Sequence, residues 1–402
     1  MAFPIPDIYR HPTVRTSMLA IFAFGFSGAT TSPYQSVVGI KELGLGDGAY
    51  SAIMASAAAV NVLVSLLVGN FADRLGEYRR MMLVVCLFGI LGYGAIYLVP
   101  TQAVFVGAAL LVLPVYGALN SLLFANVRAV TRDMPGETIA EVNSGVRAMI
   151  SLSWVLVPGL TGVLLAQSST MLPAYLFAAL AVVACLGLIA FAMPKVKPTE
   201  MLVINHMSYW AALAHVMSPR IAVRVLAVAL VTGMLHVNGV VQPLIVVGPA
   251  GGKVGDIGVL VGIVALLEVA FILVLGRVVR RFGAMPVLAA GTGLYVLYLV
   301  LLGLSTAPWH LYALTLISGA GAAALISIPI TYLQDLIADR PGLGSALISV
   351  NMFLSAGLGA LLFALGTAVG TYSLASIIGG AAGAIGISLL ILLDGFHPRP
   401  VA

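Results

Sequence analysis

Charge is what this sequence has least of. Charged residues make up 8% of its 402 residues, against roughly 25% in soluble domains. Hydrophobic residues make up 61%. A soluble globular fold is thereby excluded, because so little polar surface cannot cover it. Cysteine is also scarce, with only Cys86 and Cys185, both inside apolar runs. Two isolated thiols give neither a disulfide framework nor a thiolate metal site, so they read as small packing residues. The six histidines form no ligand cluster; His206 and His215 stand nine apart with no carboxylate beside them. No metal and no cofactor is expected. His-Glu-x-x-His, Gly-x-Ser-x-Gly and phosphate-cradling loops are missing as well, which leaves a membrane-embedded enzyme as a distant alternative with no catalytic residue to name.

What is present is a series of apolar runs of bilayer length. Twelve spans are predicted near residues 15–39, 48–70, 81–99, 103–127, 140–165, 171–193, 221–247, 256–279, 286–305, 309–332, 343–366 and 372–393, each close to the ~20 residues a crossing helix needs. The basic residues then sort by side. Sixteen of the 19 Lys and Arg fall on one side of the membrane these spans draw, at span ends, in alternate connections or near the two termini, while Lys41 and Lys253 lie opposite and Arg147 lies deeper within a span. Positive loops stay cytoplasmic, so both termini are expected inside. The net charge of +5 is therefore a matter of orientation and anionic lipid, not of nucleic acid.

The two halves repeat. Gly69-Asn-Phe-Ala-Asp73-Arg74-Leu-Gly76 after span two matches Gly276-Arg-Val-Val-Arg280-Arg281-Phe-Gly283 after span eight. Thr131-Arg-Asp133-Met-Pro135-Gly136 matches Ile337-Ala-Asp339-Arg-Pro341-Gly342 at nearly the same offset. The expected architecture is all-α, with twelve transmembrane helices in two pseudo-symmetric six-helix bundles. Residues 1–193 form one bundle, 221–402 the other, and 194–220 a cytoplasmic linker with an interfacial helix. Parallel repeats of this kind suit alternating access, with solute bound between the halves.

The loop Gly69-x3-Asp73-Arg74-x-Gly76-x2-Arg79-Arg80 resembles the signature of the major facilitator superfamily. That resemblance implies a conformational gate made by Gly69, Asp73, Arg74, Gly76, Arg79 and Arg80; the plainer role is an ordinary basic turn. Gly28-Ala-x3-Pro33, Arg147-Ala-x2-Ser151-Leu-Ser-Trp154-Val-x2-Pro158, Gly262-x4-Leu267-Glu268 and Gln334-Asp335-Leu336 are similar to the sugar efflux transporter family. This implies proton-linked export of small sugars from a bacterial-type inner membrane. The partners expected are a sugar-like or drug-like small molecule, protons and membrane lipid, with the chain a monomer. Val157-Pro158-Gly159-x2-Gly162 keeps multidrug efflux open as the alternative.

Two charges carry the mechanistic expectation. Glu268 lies 12 residues after Asp256 and 9 before Arg277, about 13–18 Å from either helix end. A carboxylate at that depth needs a cation or a proton, although a static interhelical hydrogen bond would also hold it. Arg147 cannot shed its charge, and across the two halves it is the candidate partner of Glu268; snorkelling to the interface is its plainer role. Gln35, Tyr116, Asn120, Trp154, His236, Asn238, Gln242 and Asn351 are candidates for a polar pocket. Amides pair hydroxyls, and an aromatic face covers the C–H side of a sugar ring. Each could instead join two helices.

Overall fold

The computed structural model describes residues 11–75, 77–131, 134–194, 218–336 and 341–396, which are helical throughout apart from short connections. The interfacial helix expected within the linker lies outside the described residues. In chain order the helices are α1 (Pro12–Thr31, continued by turns Ser32–Tyr34 and Val37–Glu42), α2 (Asp47–Leu75), α3 (Tyr78–Leu98), α4 (Gln102–Thr131), α5 (Gly136–Leu165) and α6 (Pro173–Ala192). There follow α7 (Pro219–Val247), α8 (Val254–Phe282), α9 (Ala284–Gly303), α10 (Pro308–Asp335), α11 (Pro341–Val369) and α12 (Tyr372–Asp394). Eleven of them, all but α1, are long and apolar enough to cross a membrane. The exception is explained by packing. Helix α1 buries Thr13, Thr16, Ser17, Ser27, Thr30 and Thr31 inside its bundle, so its polar atoms meet protein and not lipid.

Proline marks the irregular turns. Helix α4 widens into a π turn at Ala108–Val112 just before Pro114, because proline offers no N–H to the preceding carbonyls. Pro158, Pro243 and Pro329 sit inside α5, α7 and α10, which a bundle tolerates when neighbours re-satisfy the freed groups.

The chain divides into two compact units. One holds the described residues up to Gly44 and those from Ala59 to Pro194; the other holds Leu45–Ala58 and those from Ser218 onward. Sequence order alone does not give the grouping of Leu45–Ala58. Within that second unit Asp47 accepts a 3.2 Å hydrogen bond from the Tyr372 hydroxyl, and Tyr50 meets the Phe363 ring edge-on at 6.5 Å.

Packing repeats in the two units as the sequence motifs do. In the first, α1 packs on α5 and α6, and α3 on α4 and α6; in the second, α7 packs on α11 and α12, and α9 on α10 and α12. Small residues permit the closest of these approaches. A Cβ at Gly379 of α12 would lie 2.8 Å from Val237 of α7, and one at Gly383 would overlap Met234. The Gly379–Gly383 pair thus does what small residues four apart do in membrane bundles.

Ends are tied by charge. Arg79, in the first turn of α3, donates to the carbonyls of Ile189 (3.1 Å) and Ala190 (2.6 Å) at the end of α6. A cation there meets both the unsatisfied carbonyls and the negative end of the helix dipole. Arg80 forms a 2.9 Å pair with Glu77, but 78% of its side chain is exposed, so that pair adds little.

Candidate functional site

In the first unit, polar groups gather around Tyr116. Its hydroxyl lies 2.8 Å from that of Ser27 on α1. Phe24 and Tyr93 pack on its ring at centroid distances of 5.3 and 5.8 Å. Asn120 stands one turn beyond Tyr116 on the same face of α4, and its Oδ1 is buried with no hydrogen-bond partner in the structure. Gln35 and Trp154 are half-buried on the turn after α1 and on α5, whereas Arg147 is exposed on α5.

The second unit carries the acid. Glu268 is the central residue of the 29-residue α8 and is half-buried. Among the described residues no cation of its own unit pairs with it. Helix α10 comes close at this level because Gly319 has no side chain; a Cβ there would lie 2.7 Å from Leu267 and 3.6 Å from the Glu268 nitrogen. Tyr295 of α9 is buried against Gly321 of the same α10. Its ring tilts against Tyr298 at 5.2 Å, and the Tyr298 hydroxyl donates to Asn238 Oδ1 of α7 at 2.8 Å. Ser318 is buried on α10.

Further along α7, Gln242 is buried and His236 is exposed, with its Cβ over Gly359 of α11. Asn351 of α11 is buried, donates to Thr232 Oγ1 at 3.3 Å and leaves its Oδ1 without a partner in the structure. Of the gate candidates, Gly69 lies within α2, while Gly76 and the side chains of Asp73 and Arg74 lie outside the described residues.

The structure therefore joins Asn238 to Tyr298 and Asn351 to Thr232 within one unit, and Tyr116 and Asn120 lie in the other. Sequence reasoning missed Ser27, Tyr93, Tyr295, Tyr298 and Ser318. One usable signal was there: Tyr295 and Tyr298 are three apart, hence on one helical face. Chemically, the two groups offer amides, phenols and hydroxyls to a solute and one carboxylate to a proton.

Comparison with known proteins follows the same line. Sugar efflux transporter A of Dickeya chrysanthemi is 27% identical over 353 residues, 85% of this chain and 86% of that protein. Sugar efflux transporter C of Escherichia coli (strain K12) is 23% identical over 337 residues, 83% of this chain and 84% of that one. The crystal structure of the nucleoside transporter NupG superposes with a TM-score of 0.78 at 12% identity, covering 95% of this chain and 99% of that one; this is a likeness of fold. Residues 17–247 match the Major Facilitator Superfamily. With that match spanning more than half of its length, on twelve helices in two repeating units, this chain belongs to the Major Facilitator Superfamily of membrane transporters.

Proposed function

We propose that the chain exports sugars or similar small polar solutes in exchange for protons, by alternating access, from a cytoplasmic membrane with both termini inside. The observation that carries the reading is Glu268, a lone carboxylate at the centre of a spanning helix. A charge at that depth is costly, and taking up a proton removes the cost; binding and release of that proton then supply a coupling step. The relatives named as sugar efflux transporters and the neutral amide and phenol groups support a polyhydroxylated solute. Arg147 is the proposed partner of the ionised acid, Gln35, Tyr116, Asn120, Trp154, His236, Asn238, Gln242 and Asn351 the solute contacts, and the Gly69–Arg80 loop the gate.

Purified protein at low buffer capacity tests this. Addition of mono- or disaccharides should release protons in wild type and not in Glu268→Gln. Proton release on addition of lipophilic cations, and none with any sugar, would move the assignment to drug efflux.

A further inference from the structure

Asn61 is the central residue of the 29-residue α2. It stands eight residues before Gly69, as Glu268 stands eight before Gly276, the matching glycine of the second repeat. The repeat therefore puts a neutral carboxamide in α2 where α8 carries its acid. Between Tyr50 and Gly69 no other residue has an amide or a charge. Asn61 belongs to the first unit and is exposed. A carboxamide turned to lipid leaves its N–H and C=O groups unsatisfied. Amides in spans also join helices, but the neighbour that Asn61 meets is glycine. Its Oδ1 lies 2.7 Å from where a Cβ of Gly117 in α4 would stand, so no side chain is there to bond it. Gly117 seats the carboxamide without holding it.

Asn120 follows Gly117 by three residues on the same face of α4, a Cβ spacing of about 5–6 Å. Its Oδ1 is buried and has no hydrogen-bond partner in the structure. Two carboxamides from different helices thus stand within one turn of each other in the first unit, the first exposed and the second with an unmet acceptor. Each has an acceptor oxygen and two N–H donors, while a hydroxyl both donates and accepts. Neighbouring hydroxyls on one sugar ring, held at a fixed spacing, match such a pair.

Resting on the reading of the chain as an exporter of sugars, we infer that Asn61 and Asn120 clamp a vicinal diol of the solute. Asn61 is then a further specificity-determining contact, and Gly117 a positioning residue that keeps open the space its carboxamide occupies. One repeat position serves the solute in the first unit and the proton in the second.

Equilibrium binding to the purified full chain tests the clamp. The probes are glucose, galactose and mannose, each beside its forms lacking one hydroxyl. Asn61→Ala should weaken the intact sugar by about 10-fold, the worth of one or two neutral hydrogen bonds. It should not weaken the analogue that already lacks the hydroxyl Asn61 holds. Asn120→Ala should behave in the same way toward an analogue altered at the adjacent carbon. Gly117→Ala keeps the amide but puts a methyl against its oxygen, so it should reproduce the Asn61→Ala pattern. Melting temperatures are read on the same samples, and an exposed side chain should leave that of Asn61→Ala near wild type. If Asn61→Ala weakens every analogue alike or none, or if the two affected hydroxyls are not neighbours, the clamp is overturned and sugar binding by wild type stands. If wild type binds none of the three sugars, both readings fail.

Discussion

The ring of Tyr116 in α4 rests on Gly89 of α3, where a Cβ would lie 2.5 Å from the ring carbon Cδ2. In the second unit the sizes are exchanged. Tyr295 of α9 rests on Gly321 of α10, with a Cβ there 3.1 Å from the Tyr295 Cβ. Each unit thus seats a buried tyrosine between its third and fourth helices, but from opposite sides of the seam. In the first unit the tyrosine hydroxyl lies 2.8 Å from that of Ser27 on α1.

Gly89→Ala should therefore overpack the seam, at a cost of ~1–3 kcal/mol. Gly94, on the same helix, has open space where its Cβ would stand. Gly94→Ala should instead stabilise, by roughly 0.5–1 kcal/mol. Thermal melts of the two variants in one detergent make the comparison. Equal shifts would mean that the Tyr116 contact does not limit the seam.

Hydropathy and the repeated motifs made the helix count and the two-part plan legible, because lipid imposes long apolar helices on any sequence that crosses it. The site was legible only in part. Glu268 stood out because a carboxylate deep in a span is rare. Asn238 and Asn351 stood out as amides, yet nothing in the order of residues announced Tyr298 or Thr232 as their partners. Such pairings are set by helix rotation, which period alone does not fix. The same holds for Arg224, whose partner is 170 residues away.

Arg224 of α7 meets Asp394 at the end of α12 at 2.6 Å, with side-chain exposures of 13% and 8%. Tyr332 of α10 donates to the same carboxylate. Removing one member strands a nearly buried charge, so Asp394→Asn should cost about 3–5 kcal/mol. Arg224→Met combined with Asp394→Leu should cost less than the sum of the single changes. Melting temperatures of the four proteins decide it, and additive losses would reduce the pair to two independent contacts.

Asp73 lies in the last turns of α2, in the loop motif proposed as the gate. Asp73→Asn should leave folding and solute binding intact and slow transport by about 5- to 150-fold, the effect of losing a state-dependent contact of ~1–3 kcal/mol. Rates in proteoliposomes, set against binding to the same variant in detergent, separate the two. Wild-type turnover would leave the loop with an orienting role alone.

Coupling makes the sharpest demand on Glu268. Glu268→Gln imitates the protonated acid, so it should bind solute and exchange it across the membrane, yet fail to accumulate it under a proton gradient. Arg147→Ala should be the more damaging change. If the two groups pair in one access state, the variant leaves the carboxylate buried without its cation each time it ionises. Exchange in Arg147→Ala should accordingly fall below that of Glu268→Gln, and adding Glu268→Gln to Arg147→Ala should recover part of it. Counterflow measurements in proteoliposomes, with and without a pH difference, read all three. Uphill accumulation by Glu268→Gln would make the acid structural and send the search for the coupling group to His236 or Asp335. A double variant worse than either single one would separate Arg147 from Glu268.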